Sequence, residues 1–164
     1  MTNYQAIVKV NTEKPYAALR REVAQQEISK EIPPLIGILM NLLLKENIKT
    51  NGDCFFKYLS CTIDGHMVIE AGFPIEKTDS KSENIEFGFF PAGNYLSVIH
   101  MGDYKNLIDA HLYLENYSKS NNLAIDESIS DTGVEWGSRA EIYLTEPALT
   151  PIVDWKTEVS FLLK

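Results

Sequence analysis

Along much of this chain apolar and polar residues alternate with a period of two, and two stretches break that rhythm with the wider spacing of a helix. The alternation is cleanest near the end. Trp155, Thr157, Val159, Phe161 and Leu163 share one parity and Lys156, Glu158 and Ser160 the other, so a strand here sends Glu158 out of the face opposite the apolar row. In the run before it, Ala140, Ile142 and Leu144 share one face while Glu141 and Tyr143 share the other. Pro147 and Pro151 lie between the two runs and cannot donate to a ladder, which predicts two strands joined by a turn. A hairpin from Arg139 to Leu163 thus holds a carboxylate and a phenol on its less apolar side. That side either faces water or lines a site.

The other elements follow from the same patterns. Tyr4 to Val10 alternates and reads as a strand, whereas Asn11 to Gln26 fits a strand extension and a short helical turn equally. Ser29 to Glu46 is a helix: Pro33 and Pro34 are tolerated in a first turn, and Ile32, Leu35, Ile36, Leu39, Met40, Leu42 and Leu43 form a broad apolar stripe. Cys54 to Cys61 and Met67 to Ile75 are strands, with Asp64-Gly65 as the turn between them. Glu76 to Asn84 is a polar, charged linker. After Phe87-Gly88-Phe89-Phe90 comes a strand from Tyr95 to Met101, a turn at Gly102, and a helix from Tyr104 to about Ser120 capped by Asp103. His111 on that helix reads as a packed histidine and not a metal ligand, because no second ligand stands at helical spacing. Asn121 to Gly133 is loop-like, and Trp136 precedes the last hairpin.

The order strand, helix, strand, hairpin, strand occurs on both sides of the linker. Ile69-Glu70-Ala71-Gly72-Phe73-Pro74 aligns with Thr157-Glu158-Val159-Ser160-Phe161-Leu162, which matches Glu70 to Glu158. Tyr58-Leu59-Ser60 falls on Tyr143-Leu144-Thr145, and Tyr4-Gln5-Ala6-Ile7-Val8 on Tyr95-Leu96-Ser97-Val98-Ile99. The expected fold is α+β: one domain over 1–164 built of two βαββ units (about 1–76 and 85–164, linked by 77–84), related by a pseudo-two-fold axis. Antiparallel sheets with helices packed on them would then leave a central groove between the halves, a common place for a ligand.

Composition narrows the functions. The chain has 164 residues, a net charge of −8 and 45% hydrophobic residues, ordinary for a globular domain but poor for a nucleic-acid groove, which needs clustered Lys and Arg. An anionic membrane surface is disfavoured for the same reason, and the most apolar window, Ile32 to Leu44, is too short to span a bilayer. Cys54 and Cys61 form neither a CxxC nor a His/Cys cluster, so no disulfide framework, metal or other cofactor is expected, and a reducing cytoplasm is the natural compartment.

Four short motifs in order carry a resemblance to a known family: Pro91-Ala92-Gly93-Asn94-Tyr95, His100-Met101-Gly102-Asp103-Tyr104, Glu141-Ile142-Tyr143-Leu144 and Trp155-Lys156-Thr157-Glu158-Val159. Together they resemble the GyrI-like small-molecule-binding superfamily, which includes the effector-binding domains of AraC- and MerR-type multidrug-responsive regulators. The resemblance implies a duplicated βαββ fold and a groove lined by aromatics around one central glutamate of the last strand, here Glu158. It implies a lipophilic, cationic small molecule as ligand. The alternative it offers is a hydrolase of strained, cyclopropane-type electrophiles, with Glu158 as general base beside Tyr143; a further one is a protein-interaction module acting on a regulator or on DNA gyrase. Unlike the regulators, this chain shows no helix-turn-helix region, so direct binding of nucleic acid is not expected. Leu162-Leu163 stands where the family's last strand usually closes on a proline. The residues expected to line the groove are Glu158, Tyr143, Trp136, Tyr95, Tyr58 and Glu141, and the sequence leaves binding and hydrolysis both open.

Overall fold

The computed structural model describes residues 3–77 and 79–164. Among these residues ten strands form one antiparallel sheet: β1 (Ile7–Asn11), β2 (Lys14–Ala24), β3 (Phe55–Thr62), β4 (His66–Pro74), β5 (Glu86–Phe90), β6 (Gly93–Met101), β7 (Glu127–Ile129), β8 (Gly133–Trp136), β9 (Arg139–Tyr143) and β10 (Lys156–Leu162). Eight of them run in the order β1-β6-β10-β9-β3-β4-β2-β5, and the β7–β8 ribbon hangs on β3. A register shift between Tyr58 and Ser60 lets β3 pair with β9 through Phe55–Lys57 and with β8 through Ser60–Thr62. The fold is α+β.

Among the described residues three α-helices accompany the sheet: α1 (Ile28–Glu31), α2 (Pro34–Lys45) and α3 (Leu107–Ser120). The proline pair ends α1 and opens α2, where missing N–H donors cost nothing because first-turn donors have no partner within the helix. Leu35, Leu39 and Leu43 of α2 are buried at four-residue intervals against Phe56, Tyr58, Ile69 and Ala71. On α3, Leu107, Ala110 and Leu114 are buried against Leu96, Val98, Val159 and Phe161. Both helices therefore lie on one face of the sheet. Gly102 (φ +108°) makes the turn that leads from β6 into α3, and the Asp103 carboxylate accepts from the Lys105 backbone N–H at 3.0 Å.

The strand registers relate the halves. Glu70 sits between Arg20 and Lys57, and Glu158 between Ile99 and Ile142, each in the middle of a three-stranded unit with β3 and β9 meeting at the centre. In this frame Tyr58 takes the place of Tyr143, and Tyr16 that of Tyr95. The expected match of Tyr4–Val8 with Tyr95–Ile99 is corrected. β1 is hydrogen-bonded to β6, with Lys9 opposite Tyr95, and the open stretch Asn11–Gln26 holds the strand equivalent to β6, namely β2. The first strand and β5 are exchanged arms: β1 edges the second half and β5 edges the first. Alternation alone could not separate the two, because both strands have the same period. The stretch expected to be a loop, Asn121 to Gly133, contains β7 and the start of β8.

Candidate functional site

Cross-strand pairing decides which side chains share a face. Phe56 lies opposite Glu141, and Glu141 opposite Val159, so these three project toward the helices. Glu158 lies opposite Ile142, and Ile142 opposite Phe55, on the other side of the sheet. Between α2 and α3, over the junction of β3 and β9, is a cavity of about 1360 Å³. Ile36 and Met40 of α2, Ile108 of α3, and Phe56, Phe73 and Tyr104 supply much of its apolar wall.

Glu141 is on the floor. It is 6% exposed, yet it accepts three hydrogen bonds: from Tyr58 Oη at 2.8 Å and His111 Nε2 at 2.9 Å on Oε1, and from Tyr143 Oη at 2.5 Å on Oε2. The equivalent tyrosines of the two halves thus clasp one carboxylate. Among the described residues no lysine or arginine forms an ion pair with it. Burial alone would raise the Glu141 pKa, but the His111 contact and the hydroxyls of Tyr143 and Tyr58 outweigh burial and hold the carboxyl below its ordinary value of 4.5. Burial and the Glu141 charge together push the Tyr143 and Tyr58 hydroxyls well above 10. The floor therefore carries an anion held by neutral phenols.

Aromatic edges surround it. Tyr143 meets Phe56 (4.9 Å) and Tyr104 (5.2 Å) edge to face, Tyr104 stacks on Trp155 at 4.4 Å, and Tyr58 meets the His111 ring at 5.8 Å. Behind His111, the Arg139 guanidinium lies 4.3 Å from the Phe161 ring and 4.9 Å from that of Trp136, and pairs with Glu115 at 2.9 Å. Cys54 also lines the cavity; burial, then the charges of Asp53 and Glu146, push its thiol up to about 11, so it is not a ready nucleophile. Among the described residues no group of three or more His, Cys, Asp and Glu side chains is arranged to hold a metal ion.

Of the six residues expected to line the groove, Tyr58, Trp136, Glu141 and Tyr143 border this cavity and two do not. Glu158 is a correction. It leaves the opposite face, as its parity requires, where it accepts from Ser97 Oγ at 2.7 Å and pairs with Lys9. The groove opens on the face of the apolar row, beneath the helices, and the carboxylate of these two that borders it is Glu141 of β9, not Glu158 of β10. Tyr95 is the other correction: its hydroxyl donates to the Pro91 carbonyl at 2.7 Å, on the face of Lys9 and Glu158. Three residues of the site were not singled out for it: His111, Arg139 and Tyr104. His111 falls on the buried stripe of α3 between Leu107 and Leu114, and Arg139 has the same parity as Glu141 and Tyr143. Those two signals were in the sequence.

No protein-family model matches this sequence, and no curated protein matches it either. Solved structures do. The crystal structure of the EcmrR C-terminal domain superposes with a TM-score of 0.76 at 22% identity, covering 99% of both chains. This is the GyrI-like fold. In the cryo-EM structure of the EcmrR–DNA complex the match covers 98% of this chain at a TM-score of 0.74 and 23% identity, and this chain spans 57% of that one. SAV2435 bound to tetraphenylphosphonium matches with a TM-score of 0.65 at 10% identity over 99% of this chain and 94% of the other. A Listeria innocua protein described as a hydrolase matches with a TM-score of 0.60, also at 10% identity, over 98% and 92%. This fold thus occurs in a protein seen in complex with DNA, in one bound to tetraphenylphosphonium and in one described as a hydrolase.

Proposed function

We propose that this GyrI-like domain binds a lipophilic cation in the groove between α2 and α3, with Glu141 as its counter-charge. The observation that carries the reading is the buried Glu141 carboxylate, held ionised by two tyrosines and a histidine with no lysine or arginine paired to it among the described residues. A cation about 4 Å away would gain roughly 4 kcal/mol at an effective dielectric of 20, and each aromatic face about 0.5–2 kcal/mol more. Three of the roughly four lone-pair sites of the carboxylate are already occupied. Recognition therefore proceeds through charge and ring contact, with few directional bonds, which suits flat or globular cations poor in N–H donors. The tetraphenylphosphonium bound by SAV2435, a protein of like fold, is a cation of this kind.

Hydrolysis of a strained electrophile is the second reading, with Glu141 replacing Glu158 as the base. The observation that favours it is the 2.5 Å contact between the Tyr143 hydroxyl and Glu141 at the bottom of the groove. It ranks second because a carboxyl whose pKa is lowered is a weak base.

Calorimetric titration with tetraphenylphosphonium, alongside neutral triphenylphosphine oxide, tests the first reading. Wild type should bind the cation more tightly, and Glu141→Gln should remove most of that preference. Equal binding of both compounds by wild type would refute it. Steady release of product from an epoxide or cyclopropane electrophile, abolished in Glu141→Gln, would make the second reading the function.

A further inference from the structure

The side chains behind Glu141 fix the state of His111. Arg139 directs both Nη2 (3.0 Å) and Nε (3.2 Å) at Nδ1 of that ring. A guanidinium has N–H donors and no acceptor, so Nδ1 has to present a lone pair. The ring proton then sits on Nε2, 2.9 Å from Glu141 Oε1, and donates to it. Arg139 has little freedom to turn away: Glu115 holds the same Nη2 at 2.9 Å, and the Trp136 and Phe161 rings bracket the guanidinium. The other groups facing His111 are the Tyr58 ring from β3 and the Phe161 ring from β10, and neither can supply a second proton acceptor at Nδ1.

We propose that His111 is a positioning residue locked by Arg139 as the neutral Nε2–H tautomer, so that Glu141 is oriented without being neutralised. This rests on the reading of Glu141 as the counter-charge for a bound cation. Glu115 and Arg139 cancel one another, His111 carries no charge, and the groove keeps the whole negative charge of Glu141. A histidinium in the same place would hold the carboxylate in the same geometry but cancel its charge. Arg139 therefore decides between a groove that recognises charge and one that recognises shape alone.

Long-range ¹H–¹⁵N correlation of the imidazole nitrogens in wild-type protein, without ligand at neutral pH, reads the tautomer directly. The expected spectrum shows one protonated nitrogen, Nε2, and a pyridine-like Nδ1 for His111. Protonation of both nitrogens, or of Nδ1 alone, would overturn the assignment. The double variant Glu115→Gln/Arg139→Gln removes the ion pair without changing net charge. It should let the ring take a second proton and lower affinity for tetraphenylphosphonium about tenfold, while triphenylphosphine oxide binding moves less than about twofold. Equal losses for both compounds would mean that Arg139 acts only on shape, which contradicts the proposal. Cation affinity lost in His111→Phe should be largely recovered in His111→Gln, whose amide N–H can reach the carboxylate and cannot become charged; no recovery also counts against it. If the double variant does not fold, the wild-type spectrum decides alone. Cation binding that is indifferent to Glu141→Gln would overturn the reading of Glu141 and leave the tautomer assignment standing, so the two failures are distinguishable.

Discussion

The two halves of this molecule share a plan and differ at its centre. Tyr58 and Tyr143 occupy equivalent places and donate to the same carboxylate, but the residue beside them is Phe56 in the first half and Glu141 in the second. On the opposite face the halves are more alike: Glu70 is bound by Tyr16 (2.6 Å) and Arg20 (3.0 Å), and Glu158 by Ser97 and Lys9. The outer-face glutamates are thus both neutralised by a neighbouring cation. The inner one is not. The like strands of the two halves supply a symmetric clasp, and Glu141, on the axis side of one strand only, puts a buried carboxylate on the floor of the groove between them.

Breaking that asymmetry should have the largest effect. Glu141→Gln keeps the shape and one acceptor oxygen, replaces the other oxygen with an N–H donor and removes the charge, and should cost a cationic ligand on the order of 2–4 kcal/mol in calorimetric titration. The same carboxylate should appear in acid unfolding. Its pKa is lowered by folding, so the stability it contributes is complete above the ordinary value of 4.5 and is lost as pH falls through the lower folded-state value. Thermal melts of wild type should therefore fall more steeply than those of Glu141→Gln as pH drops below 4.5, and parallel curves would contradict this assignment.

The clasp itself gives the next effect. Tyr58→Phe and Tyr143→Phe each remove one hydrogen bond to an ionised group, for a loss of about 1.5–3 kcal/mol in urea unfolding. Similar losses at the two positions would support their equivalence. A loss at one position alone would show that the halves are not equivalent there. The smallest effect is expected at Glu158. Glu158→Gln weakens a pair whose Lys9 is 37% exposed, and should change stability by less than about 1 kcal/mol and cation affinity by less than about 0.5 kcal/mol. A loss of affinity comparable to that in Glu141→Gln would return the site to the last strand.

How much of this was legible in the sequence depended on which physical signal each residue carried. The βαββ order, the pairing of Glu70 with Glu158 and the matching of Tyr58 with Tyr143 follow from period-two patterns that register with one another, and the registers agree with them. Parity also showed that Glu141 and Tyr143 share one face and that Glu158 leaves the side opposite the apolar row. Parity does not say which face a helix covers. The groove lies on the apolar side, where Val159 and Phe161 pack under α3, and a carboxylate there is tolerated because three donors converge on it from β3, β9 and α3. That convergence joins residues up to 83 positions apart and has no local signature. The exchange of β1 and β5 was hidden for a related reason: an edge strand has the same alternation whichever half it joins.

The position of a bound cation tests the central claim most directly. In crystals soaked with tetraphenylphosphonium, phosphorus should lie on the helix side of the sheet over Glu141, between the Tyr58 and Tyr143 rings. A cation seated on the opposite face beside Glu158 and Lys9, or held in the groove away from Glu141, would contradict it.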